Sequence, residues 1–327
     1  MPGPDPAVAA SRCAARDHLG DVPAGGLVLV ACSGGADSLA LAAAAAFEGP
    51  RAGVRVGALI VDHGLQEGSA DAAGRAAEQC RALGLDPVLV CRVDVAAAGG
   101  GGPEARARDA RYAALREGAD ALGAHAVWLG HTRDDQAEQV LLGLARGSGT
   151  RSLAGMARRR PPYERPFLDL PAATTRAACA AQGLRPWADP SNDDPRYLRN
   201  RARRALADLE ADLGPGFAAA LARTADLARA DADHLDALAK QARDALGEGP
   251  WPVEELAAHP PAVRTRLLRL LVTAAAPGAA APTSAHLAAI DALITRWRGQ
   301  GPTFLPGGVA VSREGDAVRL RPPRGGE

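Results

Sequence analysis

Lysine is almost missing from this chain: among 38 basic residues only Lys240 is not an arginine. A phosphate loop of the G-x-x-x-x-G-K-[ST] type needs its lysine to reach the β- and γ-phosphates, so no segment before Lys240 can be one. Aromatic residues make up only 3% of the chain, which argues against a surface built to stack bases. The five cysteines, Cys13, Cys32, Cys80, Cys91 and Cys179, form no C-x-x-C pair and have no nearby histidine to complete a zinc pattern. Reduced thiols in an intracellular protein are therefore expected. No charged-then-apolar leader opens the sequence, and the alanine run after Ser38 is too short to span a bilayer, so a soluble, cytoplasmic protein is expected.

Net charge is also absent overall, but it is unevenly spread. Residues 1–150 hold 13 Arg against 18 acidic residues, whereas residues 151–204 hold 12 Arg against 5. Such a basic middle is either a polyanion-binding surface or a solvated linker.

What is present is a regular alternation. Short apolar runs at 27–32, 54–61, 87–93 and 126–129 read as strands. Helical patterns at 37–47, 69–83, 103–122 and 134–146 follow them in turn. Strands apolar on both faces, each followed by a helix, predict an α/β domain with a parallel sheet covered by helices. Ligands of such sheets bind beyond the carboxyl ends of the strands. From 147 to 165 the pattern dissolves into Arg, Gly and Pro, and a short helix, a loop and a basic helix follow. Beyond Gly214 the chain is mainly helical, and Val309/Val311 and Val318/Leu320 alternate around "EGDA" as in a closing β-hairpin. The expected division is a lead-in at 1–26 with a short helix, an α/β domain with a basic tail at 27–210 and a mainly helical domain at 211–327.

The richest short segment is Ser33-Gly34-Gly35-Ala36-Asp37-Ser38, at the first strand-to-helix junction. Adjacent glycines let backbone N–H groups turn inward, the helix supplies its positive end and the serines add donors, so the segment reads as a phosphate loop. Asp37 would repel phosphate unless a divalent cation lies between them, which implies Mg²⁺ with Asp37 as its ligand. "VDHGLQEGS" places Asp62 and His63 beside that loop, although such a pair also fits an ordinary turn. In "GHTRDDQAE", Thr132 and Asp135 fit a capping box. On a helix His131, Asp135 and Glu138 would also share one face, and paired carboxylates there could hold a cationic amine. "EARARDARYAAL" puts Arg108 and Arg111 one turn apart, as a solvated basic face or as charge-neutralising groups.

The loop resembles the pyrophosphate loop (PP-loop) of the N-type ATP pyrophosphatases, a Rossmann-like superfamily that splits the α–β bond of ATP. With "VDHGLQEGS", "EARARDARYAAL", "LGHTRDDQAEQVLLGLARGSG", "DPSNDDPRYLRNRAR" and "LPGGVAVSRE", the chain resembles the tRNA(Ile)-lysidine synthetases over most of its length. The resemblance implies that ATP adenylates the carbon-2 oxygen of the wobble cytidine in an isoleucine tRNA with a CAU anticodon. Free L-lysine then displaces AMP. It implies ATP-binding roles for Ser33, Gly34, Gly35, Ala36, Asp37, Ser38, Asp62 and His63, and catalytic roles for Asp37, Arg111, His131, Asp135 and Glu138. Asp135 and Glu138 would bind the lysine ammonium, and Arg108, Arg196, Arg199, Asn200, Arg201 and Arg203 the tRNA. The chain resembles the short form of the family, which lacks a further carboxy-terminal domain. A tRNA thiolase using the same loop, or a non-catalytic RNA-binding relative, are the alternatives; a thiolase acting on cytidine would usually carry C-x-x-C pairs.

Overall fold

The computed structural model describes residues 3–62, 64, 68–93, 103–147, 149–189, 194–275 and 277–321. It divides into two compact units, Met1–Arg229 and Ala230–Glu327.

In the first unit β1 (Leu27–Ala31), β2 (Arg55–Asp62), β3 (Val88–Arg92), β4 (Ala126–Leu129), β5 (Arg159–Arg160) and β6 (Tyr163–Glu164) form one sheet in the order β3-β2-β1-β4-β6-β5. All pairings are parallel except the β5–β6 hairpin. Every residue of β1 is buried, as a central strand covered on both faces requires. The helices are α1 (Pro6–Arg16), α2 (Ala36–Glu48), α3 (Ser69–Ala82), α4 (Pro103–Ala121), α5 (Arg133–Ala145), α6 (Thr150–Leu153), α7 (Ala172–Ala181) and α8 (Leu198–Leu213). Because β1 lies between β2 and β4, the chain runs outward to β3 and then returns to the opposite side of β1. That reversal opens a crevice between the loops after β1 and β4, the usual ligand position in such sheets.

The alanines of α2 are small enough for α2 to pack closely against both α1 and α7. The amino-terminal segment, expected as a lead-in, contributes Val8, Ala15 and Leu19 to the core that holds Val28 and Val30. Arg16 grips Glu48 at the end of α2 through Nε (2.9 Å) and Nη2 (2.8 Å). His18 Nδ1 lies 2.7 Å from Glu164 Oε2, and its ring meets Trp128 edge-on. The β5–β6 hairpin lies in the stretch where no pattern was legible; two-residue strands reading Arg-Arg and Tyr-Glu carry no apolar alternation. All five cysteines are free, and Cys32, Cys80 and Cys179 are buried.

The second half of α9 (Phe217–Leu246) belongs to the second unit with α10 (Val253–Ala258), α11 (Pro261–Ala275) and α12 (Ser284–Thr295). The expected hairpin is β9 (Ala310–Glu314) with β10 (Ala317–Arg321), extended by β7 (Trp251–Pro252) and β8 (Thr303–Phe304) into a four-stranded antiparallel sheet. Ala239, Leu256, Leu267, Ile290, Val311 and Val318 are buried together between sheet and helices. Among the described residues no helix is long and apolar enough to cross a membrane.

Candidate functional site

The crevice begins where β1 turns through Cys32–Gly35 into α2. Gly34 has φ +82°, a left-handed conformation natural to glycine, and a Cβ there would stand 3.3 Å from Ala76 Cβ on α3. The Ser38 hydroxyl accepts from Ser33 N–H (3.1 Å), donates to the Gly35 carbonyl (3.0 Å) and lies 3.2 Å from the Ser33 hydroxyl. Buried Ser38 therefore closes the turn on itself, while Ser33 is exposed. Trp187 N–H donates to the Gly34 carbonyl (2.9 Å), fastening the segment after α7 to the loop. At the end of β4, a Cβ on Gly130 would come within 3.0 Å of the Asp37 carbonyl carbon and the Ser38 nitrogen. Glycine thus lets the β4 end touch the first turn of α2.

Four carboxylates, Asp37, Asp134, Asp135 and Glu138, lie around this contact. Burial pushes the Asp37 carboxyl up to about 6; donation from the Thr175 hydroxyl opposes the rise, and Asp135 and Asp134 add to it. Thr175, fully buried on α7, has no signal in the sequence because it sits in an alanine-rich helix outside any motif. Asp135 Oδ2 accepts from Thr132 N–H (2.7 Å) and from its hydroxyl (3.0 Å), forming the expected capping box. Asp134 Oδ2 accepts from Ala172 N–H (2.8 Å), tying α5 to α7. Glu138 is buried, which raises its pKa, and Arg203 Nε opposes this from 2.7 Å.

One expectation needs correction. Thr132 is the N-cap and α5 begins at Arg133, so His131 precedes the helix and does not share a helical face with Asp135 and Glu138. Instead His131 lies on the basic side of the crevice. Its basicity is held far below normal by burial and then by Arg165, Arg111, Arg199 and Arg108, so it is neutral near pH 7. Burial, Arg108 and Arg199 likewise lower the pKa of Arg111. Arg165, which sequence reasoning missed, is buried and donates from Nη1 to the Ala157 carbonyl (2.8 Å). It falls in the irregular stretch, where spacing says nothing about facing.

A cavity of about 260 Å³ opens beside the loop, lined by Ser33, Gly35, Asp62, Arg111, Trp187 and Asp189 among others. Asp62 Oδ1 accepts from Gly64 N–H (3.0 Å). His63 lies outside the described residues. Of the basic segment, Arg199 influences both His131 and Glu138. Exposed Arg196 is paired with Asp194 (2.7 Å), and exposed Arg201 donates to the Pro195 carbonyl (3.3 Å). Asn200 is turned inward, donating to the Asp194 carbonyl (2.9 Å). Arg108 is exposed, with its guanidinium 5.0 Å above the Tyr112 ring.

Among the described residues no group of three His, Cys, Asp or Glu side chains forms a metal cage. A half-buried carboxylate beside other acids, as at Asp37, still suits Mg²⁺, which takes one or two carboxylates and otherwise substrate phosphates and water.

Residues 16–210 match the family model of the PP-loop domain, and residues 251–319 that of the TilS substrate binding domain. A tRNA(Ile)-lysidine synthase of Thermobifida fusca is 57% identical over 94% of this chain and 95% of its own length. One of Streptomyces coelicolor is 51% identical over 98% of this chain and 99% of its own. Among solved structures, the U34-tRNA thiolase NcsA of Methanococcus maripaludis, with its [4Fe-4S] cluster, shares the fold at TM-score 0.57 and 18% identity. That similarity covers 67% of this chain and 78% of the thiolase.

Proposed function

Because this chain belongs to the tRNA(Ile)-lysidine synthase family, we propose that it joins L-lysine to carbon 2 of the wobble cytidine in a CAU-anticodon tRNA(Ile), in the cytoplasm. The cytidine oxygen attacks the α-phosphorus of ATP and pyrophosphate leaves. The lysine amine then attacks carbon 2, AMP departs with the oxygen, and the nitrogen sheds a proton. Adenylation supplies the leaving group that a cytosine carbonyl lacks, and the site holds the amine against the activated carbon.

The observation that carries this reading is the electrostatic coupling of Asp37 to Asp135, about a hundred residues away, and of Asp135 to Glu138, with Arg199 acting on both Glu138 and His131 and Arg111 beside them. The carboxylates suit an ammonium ion and a phosphate-bound metal ion, and the guanidiniums suit the phosphates and the adenylate. In this proposal the 33–38 turn, including Ala36 at the start of α2, cradles pyrophosphate, with Ser38 shaping it, and Asp62 and His63 flank the nucleotide. Asp37 would hold Mg²⁺, which when bound neutralises phosphate charge. Asp135 and Glu138 hold the lysine ammonium, for which Arg203 must release Glu138. Burial makes Glu138 more basic than an ordinary carboxylate and His131 less basic than an ordinary imidazole, and the amine's proton passes to one of these groups or to a phosphate oxygen. Arg111 stabilises the adenylate, and Arg108, Arg196, Arg199 and Arg201 meet tRNA phosphates while Asn200 shapes their turn.

Protein mixed with ATP, Mg²⁺, labelled lysine and a CAU-anticodon tRNA(Ile) transcript is expected to put label into the tRNA and release AMP. Labelling that survives replacement of the wobble cytidine, or no AMP at all, would refute the assignment.

A further inference from the structure

A second cavity, of about 380 Å³, lies on another side of the 33–38 turn, between α3 and the segment after α7. Arg75, Gln79, Arg185 and Trp187 line it with Gly34 and Ala76, and none of its lining residues is acidic. Both arginines are exposed, and among the described residues neither guanidinium is held by a carboxylate. The backbone beneath Arg185 is fixed. Gln79 Nε2 donates to the Arg185 carbonyl (3.1 Å) and Gln79 Oε1 accepts from Arg185 N–H (2.9 Å). Two residues on, Trp187 N–H reaches the Gly34 carbonyl (2.9 Å), so cavity and loop share a wall. Ala72 and Trp187 line this cavity and the one beside the nucleotide loop alike.

One guanidinium on α3 and one on a clasped segment, with an indole as a flat wall and no carboxylate among the described lining residues, select a phosphate group. Two phosphate sources are chemically alike here, a polynucleotide backbone and a free anion such as product pyrophosphate. Exposed arginines gain little from a lone small anion in water. A phosphodiester is held in place by neighbouring contacts along the strand, and counterion release favours each of them. We propose that this cavity seats a backbone phosphate of the tRNA, a contact that rests on the reading above that the protein acts on tRNA.

The test is binding of the CAU-anticodon tRNA(Ile) transcript by the full chain as a function of salt, with wild type, Arg75→Ala, Arg185→Ala and the double variant. The double variant should bind roughly five- to thirtyfold more weakly at physiological salt, with the slope of log K against log[salt] reduced by about 1–2. The loss should be the same for a tRNA with another anticodon, because a phosphate contact carries no sequence information. ATP affinity without tRNA should stay unchanged, and the Lys/Lys double variant should recover most of the binding, which separates lost charge from misfolding. An Ala/Ala variant with unchanged affinity and slope overturns the proposal. So does one in which only inhibition by pyrophosphate weakens, since the cavity would then take the free anion. Wild type that binds no tRNA overturns the proposal together with the functional reading, whereas tight wild-type binding beside an indifferent double variant sinks the cavity alone.

Discussion

Asp37→Asn separates what this carboxylate costs the fold from what it contributes to the reaction. In the unfolded chain the carboxyl ionises near 3.8, and in the folded protein at about 6, chiefly because it is buried. A raised folded value means that folding favours the protonated form. The stability linked to it is complete below about pH 4 and is lost as the pH climbs through about 6. Two pK units correspond to about 3 kcal/mol. Asp37 keeps some contact with solvent, so about 1–2 kcal/mol is the realistic penalty near pH 8. Asparagine has the same shape and can still accept the Thr175 hydroxyl, yet it carries no charge to desolvate.

The ligand-free Asn variant is therefore expected to melt higher than wild type near pH 8, by roughly 2–8 °C in the transition of the first unit. The gain should fall as the pH drops through about 6 and approach zero only below about pH 4, where the carboxyl is protonated in the folded and the unfolded chain alike. Adding Mg²⁺ and ATP should raise the wild-type Tm through ligand linkage but leave the variant nearly unmoved, and the variant should form no AMP. Scanning calorimetry at several pH values, with and without nucleotide, reads all of this. A variant less stable than wild type at pH 8, or a gain independent of pH, would show that the carboxylate is not desolvated as described.

Thr175→Val removes the hydroxyl that steadies the Asp37 carboxylate, so the acidic limb of the pH profile for AMP formation should move to higher pH, and Thr175→Ser should restore it. Asp135→Ala should keep AMP transfer to tRNA but raise the KM for lysine, and loss of the capping box should lower stability by about 0.5–2 kcal/mol. Asp135→Asn should spare the cap and still impair lysine use; equal loss of both half-reactions would contradict the assignment. Gly130→Ala puts a methyl 3.0 Å from the backbone of Asp37 and Ser38. It should cost about 1–3 kcal/mol in denaturant melts and lower the adenylation rate, and full activity would mean that the β4–α2 contact is looser than described.

The parallel sheet was legible because its first four strands are apolar runs separated by helical periods, and those two signals are local. The 33–38 turn was legible for the same reason, since its glycines, serines and acid are adjacent in the chain. What stayed hidden is what packing alone decides. Nothing about Thr175 in "AATTRAACAA" says that it faces Asp37, and Arg165 belongs to a stretch without periodicity. The amino-terminal helix looked like a lead-in because its apolar face is small, yet Val8 and Ala15 reach the core beside α2. His131 was misplaced by extending the helical period two residues too far. Thr132 is the cap, and a cap ends the spacing rule that would have put His131 beside Asp135.

In the proposed reaction, the charged groups of the crevice have to take a cationic amine and an anionic nucleotide together. A buried carboxylate needs a counter-charge while no substrate cation is bound. Arg203 meets that need at Glu138, where the carboxylate is 5% exposed and the guanidinium 51% exposed. A pair with one half in water is weak, so its cation can be exchanged for an ammonium ion at little cost. Arg111, by contrast, has its pKa lowered by burial and faces Arg108 and Arg199, so it gains most from an anion entering the site. The crevice therefore offers carboxylates that can take a cation and a desolvated guanidinium that can take an anion. Under the proposed function, ATP with its metal ion and free lysine would supply those two partners.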